Sequence, residues 1–143
     1  MACLFCRIAA GELPSAELAQ DERAFAFLDI NPVRPGHALV VPKRHSAKLE
    51  DARAEDAAGV IQLAQRVLPA LCKAAGAPDA TIAIHNGSAA GQEVGHLHIH
   101  IIPRQVGDGG APVHALFKQA VRPDSEELHD LAIKVQSLLG VAA

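Results

Sequence analysis

Three histidines at alternate positions are the clearest sign of chemistry in this sequence. They are His96, His98 and His100, in the segment GHLHIHIIPR at residues 95–104. Residues i, i+2 and i+4 of a β-strand point to one face, so the spacing predicts an imidazole face and an apolar face turned to the core. Buried imidazoles need hydrogen-bond partners, and three together indicate a functional site rather than ordinary packing.

Two kinds of chemistry suit such a face. Imidazole is a common ligand of zinc and its neighbours, which would allow metal-dependent hydrolysis. Alternatively, one neutral imidazole attacks phosphorus as a nucleophile while the others orient it. The spacing alone leaves both alternatives open.

The loop before the histidines contains Gly87, Gly91 and Gly95. Turns of this kind can present backbone N–H groups to an anion. No GK[ST] follows, so the loop is not a Walker A motif. A glycine-containing hairpin loop is also an ordinary connection, and both interpretations stay open.

Composition narrows the class of protein. The chain has 143 residues, half of them hydrophobic, which is typical of one globular domain. Its net charge of −3 and its lack of Tyr and Trp argue against a nucleic-acid partner. We expect no membrane segment and no signal peptide, and three cysteines without a repeated framework favour the cytoplasm.

Periodicity and turn residues predict an α+β fold, one domain over 1–143, built on an antiparallel β-sheet with a long central helix. Pro69 should kink or shorten that central helix. The predicted elements are a short N-terminal helix at 3–10, strands at 16–20, 24–28 and 37–42, the central helix at 51–75, strands at 81–86 and 95–103, and a C-terminal helix at about 124–139.

The stretch HLHIHII at 96–102 resembles the signature of the histidine triad (HIT) family, in which histidines alternate with apolar residues. The resemblance extends over 3–45 and 86–104, with similar ordering between them. It is strongest to the Hint-like branch of nucleotide-binding hydrolases, and it implies a single HIT-like domain.

The resemblance also implies roles for individual residues. His98 would attack the α-phosphate of a nucleoside monophosphate derivative and form a nucleotidyl-histidine, and His100 would contact the phosphate and assist the leaving group. His96 and His37 would complete the imidazole network, and Asp29 would hold the ribose hydroxyls. The base would lie among Leu4, Phe5, Ile8, Phe27, Leu28 and Ile30, and the phosphate among His85, Gly91, Gln92, Glu93 and Val94. Apart from the resemblance, the apolar members of this set are typical of a core.

Three features depart from the family pattern. His85 stands where Asn or Gln is common, which would make a phosphate contact depend on pH. Glu93 stands where Ser or Thr is common, and a carboxylate pointing inward would repel phosphate. The family's Trp near the C-terminus is absent, which leaves leaving-group specificity open.

Cys3 and Cys6 form a CxxC pair, which by itself is a redox pair, half of a zinc site, or neither. No thioredoxin-like context follows. The resemblance implies a structural zinc held by Cys3, Cys6, His45 and His96, and His96 would then be anchored.

The resemblance therefore implies a nucleotide hydrolase or transferase that acts on purine nucleoside phosphoramidates or related conjugates. It implies an AMP- or GMP-like ligand, no catalytic cofactor and a homodimer. Two alternatives remain: a dinucleoside polyphosphate hydrolase using the same site, and a nucleotide-binding sensor with little turnover.

Overall fold

The computed structural model describes residues 3–140 and divides after Asp108 into two compact units. No helix within the described residues combines the length and apolar composition needed to cross a lipid bilayer. The sequence predicts one domain over 1–143. Five of these residues, at the two ends, lie outside the described part of the chain, and the single domain stays a prediction.

The first unit is a five-stranded antiparallel sheet with two helices, which confirms the predicted α+β class. The strand order in the sheet is β1-β2-β3-β5-β4. Its elements are α1 (Leu4–Ala9), β1 (Glu17–Gln20), β2 (Ala24–Leu28), β3 (Ala38–Pro42), α2 (Ala54–Ala75), β4 (Asp79–Ala83) and β5 (Ile99–Arg104).

Both faces of the central strands are buried, and residue size differs between the faces. Small residues of β2 and β3, such as Ala24 and Ala38, pack in one cluster with the apolar face of α2. The larger Phe25, Phe27 and Leu39 pack with Phe5 of α1 in a second cluster. The alternation of small and large residues therefore lets α2 lie close to one face and leaves aromatic rings to line the other.

Helix α2 runs unbroken through Pro69, so the expected shortening of the helix is wrong, and the expected kink stays a prediction. Proline removes one backbone hydrogen bond, but Val67 and Leu71 on either side of it are buried against the sheet. Burial of this apolar face outweighs the local cost. The helix ends, as the sequence predicts, at Gly76 in the left-handed conformation.

The two strands nearest the histidines differ from their predicted bounds. β4 ends at Ala83 rather than at residue 86, and β5 begins at Ile99 rather than at residue 95. His96 and His98 therefore precede the strand, and the strand-face argument applies directly to His100 alone. The reason lies in the backbone hydrogen bonds: the N–H groups of His96 and Leu97 donate to the carbonyls of Val94 and Ser46 rather than to a sheet neighbour.

The second unit contains α3 (Ser125–Leu139), close to the predicted bounds of 124–139. A capping box begins this helix: the Asp124 carboxylate accepts from the Glu127 N–H, and the Glu127 carboxylate accepts from the Asp124 N–H. Gly140 ends it with φ of 74°. Local capping thus sets both ends of α3.

Gly36→Ala tests the packing just before His37. Gly36 has φ of +83°, and an added Cβ would lie 3.0 Å from Ala75 Cβ and 3.1 Å from Pro103 Cγ. We expect urea unfolding to show a loss of about 2–3 kcal/mol, from backbone strain and crowding together. Gly11→Ala is the control, because Gly11 has φ of +76° with no atom within 4 Å of an added Cβ. It should lose only about 1 kcal/mol, and equal losses would contradict the packing argument.

Candidate active site

A cavity of about 620 Å³ lies beside α1, β2 and the loop that precedes His96. Its volume suits a small-molecule ligand. The lining residues are Leu4, Phe5, Ile8, Leu13, Pro14, Ser15, Phe27, Leu28, Asp29, Ile30, Asn31, Val33, Leu39, His85, Gly91, Glu93, Val94, His98 and His100.

This cavity brings together every residue for which the resemblance implies nucleotide contact, except Gln92. The Gln92 side chain instead bridges three backbone groups. Its Nε2 donates to the carbonyls of Ala47 at 2.7 Å and Val94 at 2.9 Å, and its Oε1 accepts from the Gly87 N–H at 2.8 Å. The Gln92 side chain therefore stabilises the shape of the glycine loop and is not part of the cavity lining.

Six lining residues were missed by the sequence analysis. Most of them adjoin segments already singled out, and Leu39 lies opposite Phe27 in the β2–β3 register. A strand-pairing argument would have found Leu39. The six are Leu13, Pro14, Ser15, Asn31, Val33 and Leu39.

The hydrogen bond of His98 defines its reactive atom. His98 Nδ1 lies 2.7 Å from the carbonyl oxygen of His96, and because a carbonyl only accepts, Nδ1 carries the proton. Nε2 therefore keeps a lone pair. The ring is 7% exposed, lies in the cavity wall, and meets the Phe5 ring edge-on with centroids 5.2 Å apart. This is the arrangement of an imidazole nucleophile.

A second chain of hydrogen bonds defines His100. The Val33 N–H donates to His37 Nδ1 at 3.1 Å, so a neutral His37 carries its proton on Nε2. That proton is donated to His100 Nδ1 at 2.9 Å, in preference to the Asp29 carboxylate at 3.6 Å. His100 consequently carries its own proton on Nε2 and acts as a donor.

Burial keeps this pair uncharged. It lowers the pKa of His37 below its usual value, partly opposed by the Asp29 carboxylate. Burial, together with repulsion from His98, His37 and His85, lowers the pKa of His100 to about 4. At neutral pH His100 is therefore a neutral hydrogen-bond donor beside His98.

His96 belongs to a separate cluster with Cys3, Cys6 and His45, whose donor atoms all lie within 4.8 Å of one another. Its Nε2 donates to the Pro42 carbonyl at 2.8 Å, which turns the Nδ1 lone pair toward the cluster. His96 Nδ1 lies 3.3 Å from Cys3 Sγ, 3.5 Å from Cys6 Sγ and 3.2 Å from His45 Nδ1.

These separations fit a tetrahedral zinc site. Bonds of about 2.0–2.3 Å to nitrogen and sulfur place neighbouring donors about 3.3–3.8 Å apart. Two thiols and two imidazoles are a common structural zinc set, and the His96–Pro42 hydrogen bond is the kind of outer contact that orients a histidine ligand. The residues present therefore fit the metal.

A second group, Asp29, His37 and His100, also has converging donor atoms. It suits a metal poorly, because His37 Nδ1 already accepts from the Val33 N–H. Coordination through His37 Nε2 would then require an imidazolate. The hydrogen bonds described above account for this group without a metal.

The titration of His100 tests this electrostatic picture. Its imidazole resonances should titrate near pH 4 in the folded protein, against an ordinary value of 6.5. Because the folded-state pKa is the lower one, the unfolded chain binds the proton first, and stability should fall as pH drops from about 6.5 toward about 4. His100→Asn should reduce this acid-dependent loss, measured by urea unfolding. A titration midpoint near 6.5 would contradict the burial argument.

Comparisons with known proteins agree with this geometry. The model of the HIT domain family matches residues 10–107. The adenosine 5′-monophosphoramidase of Schizosaccharomyces pombe is 37% identical over 132 residues, which is 90% of this chain and 96% of that protein.

Solved structures give the same result. A Streptococcus mutans protein superposes with a TM-score of 0.86 at 35% identity, over 96% of this chain and 85% of the other. A zinc-bound histidine triad family protein from Mycobacterium smegmatis has a TM-score of 0.71 at 36% identity, over 98% and 96% of the two chains. The family model covers well over half of the sequence, and the chain belongs to the HIT family.

Proposed function

We propose that this protein is a nucleotide hydrolase or transferase that acts on purine nucleoside phosphoramidates or related nucleoside monophosphate conjugates. The observation that carries the proposal is the hydrogen bond from His98 Nδ1 to the His96 carbonyl, because it leaves Nε2 of the neutral ring as the basic nitrogen of a residue that lines the cavity. The similarity to an adenosine 5′-monophosphoramidase supports the substrate class.

The cavity supplies surfaces for each part of such a ligand. Apolar side chains around Phe5 and Phe27 provide a slot for a purine base. Asp29 is next along the wall: its Oδ1 accepts from the Asn31 N–H at 2.9 Å, which orients the carboxylate to accept from ribose hydroxyls. The phosphate then lies at the histidine end.

The proposed chemistry has two steps. His98 Nε2 attacks phosphorus, a P–N(His98) bond forms, and the bond to the leaving amine breaks. The amine leaves with a proton taken from solvent, while the His100 Nε2–H donates a hydrogen bond to the phosphate. Water then attacks phosphorus, the P–N(His98) bond breaks, and the proton lost by water returns to solvent. The products are the amine and the nucleoside monophosphate, and no step uses a metal.

We propose a structural zinc at Cys3, Cys6, His45 and His96. The metal would cross-link α1 to the segments that carry His45 and His96. Three free thiols in the described chain, two of them at this site, support placement in a reducing compartment such as the cytoplasm.

We propose a homodimer for this chain, through the outer side of α2 and β4. β4 is an edge strand, and its Ile82 is exposed, as is Ile61 of α2. An apolar groove of about 440 Å³ that includes Ile61 and Ile84 lies on this side. A second copy of the chain is the occupant that this surface supports.

The covalent step is tested by intact-mass analysis after rapid mixing with an adenosine phosphoramidate. We expect a transient increment of one adenylyl group on the wild type, none on His98→Ala, and a rate at least about a thousandfold lower in that variant. His129→Ala, changed at an exposed position of α3, is the matched control and should behave as the wild type. Adduct formation on His98→Ala would exclude His98 as the nucleophile. Parallel turnover of a diadenosine polyphosphate separates the two hydrolase activities.

Metal analysis of the purified protein tests the zinc. We expect one zinc per chain in the wild type and in Cys72→Ser, and a large loss of zinc in Cys3→Ser and Cys6→Ser. Cys72 is the matched control because its thiol lies on α2, where it donates to the Asp79 carbonyl. Equal zinc content in all four proteins would contradict this ligand set.

A further inference from the structure

The charged side chains that line the cavity do not complement the negative charge of a phosphate ligand. Among the described residues that line it, Asp29 and Glu93 are carboxylates, and none is a lysine or an arginine. An entering phosphate therefore meets negative charge and no permanent cation. Among the lining side chains, only an imidazole can become the compensating positive charge.

Three histidines line the cavity, and two of them must stay neutral in the proposed reaction. His98 must keep Nε2 unprotonated to act as a nucleophile. His100 accepts at Nδ1 from His37 and is held neutral by burial. His85 is the remaining imidazole, and it is exposed.

The position of His85 suits contact with the ligand's phosphate. It follows β4 by two residues, and its ring centroid lies 5.0 Å from that of His100, which in turn lies 4.9 Å from that of His98. The glycine loop approaches it closely, since a Cβ added at Gly91 would lie 3.6 Å from His85 Nδ1. His85 therefore lies beside both the glycine loop and His100.

The lysine near the glycine loop is already paired with a carboxylate, which leaves His85 to supply a positive charge beside the phosphate. Lys48 lies near the loop, but its Nζ is 3.6 Å from the Glu50 carboxylate, which also accepts from Asn86. The titratable and charged groups around His85 are His100, His98 and His37 behind it, Asp29 and Glu93 in the cavity, and Lys48 and Glu50 beyond Asn86.

We infer that His85, which the family resemblance already places at the phosphate, takes up a proton when the nucleotide binds, so that affinity for the phosphate anion is coupled to pH. This inference rests on the proposed function. The charge that other proteins supply with lysine or arginine here arrives with the ligand, as a proton on His85.

Calorimetric titration with the methyl ester of adenosine 5′-phosphate tests the inference. This phosphodiester keeps one negative charge throughout the pH range, so any proton uptake belongs to the protein. Titrations at one pH in buffers of different ionisation enthalpy count the protons, and chromatography afterwards confirms that the ester is intact.

We expect wild-type binding to take up close to one proton. In the pH range where this uptake occurs, the dissociation constant of the ester should rise about tenfold per pH unit. His85→Asn should lose most of the proton uptake, and its dissociation constant should change by less than about twofold per pH unit. His85→Lys should bind tightly without pH dependence, because its cation is permanent. His114→Asn, changed in the second unit, should match the wild type.

Proton uptake that persists in His85→Asn would assign the proton to another imidazole and overturn the inference. Binding without proton uptake in the wild type would overturn it as well, while leaving the nucleotide site intact. Failure of the ester and of adenosine 5′-monophosphate to bind any of the proteins would overturn the proposed function, and this inference with it.

Discussion

The site depends on one hydrogen bond, from His98 Nδ1–H to the carbonyl oxygen of His96 at 2.7 Å. This hydrogen bond exists because the chain joins the sheet only at Ile99, so that residues 95–98 lie outside β5. Had residues 95–98 continued the strand, the His96 carbonyl would be available to a neighbouring strand's N–H. Here Leu97 N–H donates to Ser46, and the carbonyl of His96 is left for the imidazole. The late start of β5 thus leaves the His96 carbonyl free to fix the His98 ring.

The three histidines differ because each has a different partner. Pro42 fixes His96 with its lone pair toward the sulfur atoms, the backbone fixes His98 with its lone pair on Nε2, and His37 fixes His100 as a donor. Alternating sequence supplies identical side chains at regular spacing. Backbone carbonyls and one distant histidine then give each of them a different orientation and proton position, as the proposed zinc site and the proposed phosphoryl chemistry require.

The sequence predicted what depends on local periodicity. Alternation in AFAFL gave β2, the short apolar run HALVVP gave β3, and helical spacing with Gly76 gave α2. The expected shortening of α2 at Pro69 was wrong, because burial against the sheet outweighs a lost hydrogen bond, and the strand expected at residues 95–98 was wrong, because Ser46 accepts the Leu97 N–H. The side-chain partners of Gln92 could not be predicted either, because Ala47 is 45 positions away and no local pattern reveals it. The sequence therefore fails where long-range contacts override local preference, and residues 95–98 adjoin the site.

Helix α1 connects the Cys/His cluster to His98. Six residues are too few for an independently stable helix, so α1 depends on its contacts for its position. Cys3 and Cys6 flank its first turn and lie against His96, and between them Phe5 meets both His96 and His98 edge-on, at 5.9 and 5.2 Å. The same segment also contributes Leu4, Phe5 and Ile8 to the cavity. A shift of α1 would consequently move the wall of the apolar slot and the ring that confines His98 together. A change in the cysteine cluster would thus reach the apolar slot and His98 through one turn of helix, without contact with the proposed ligand.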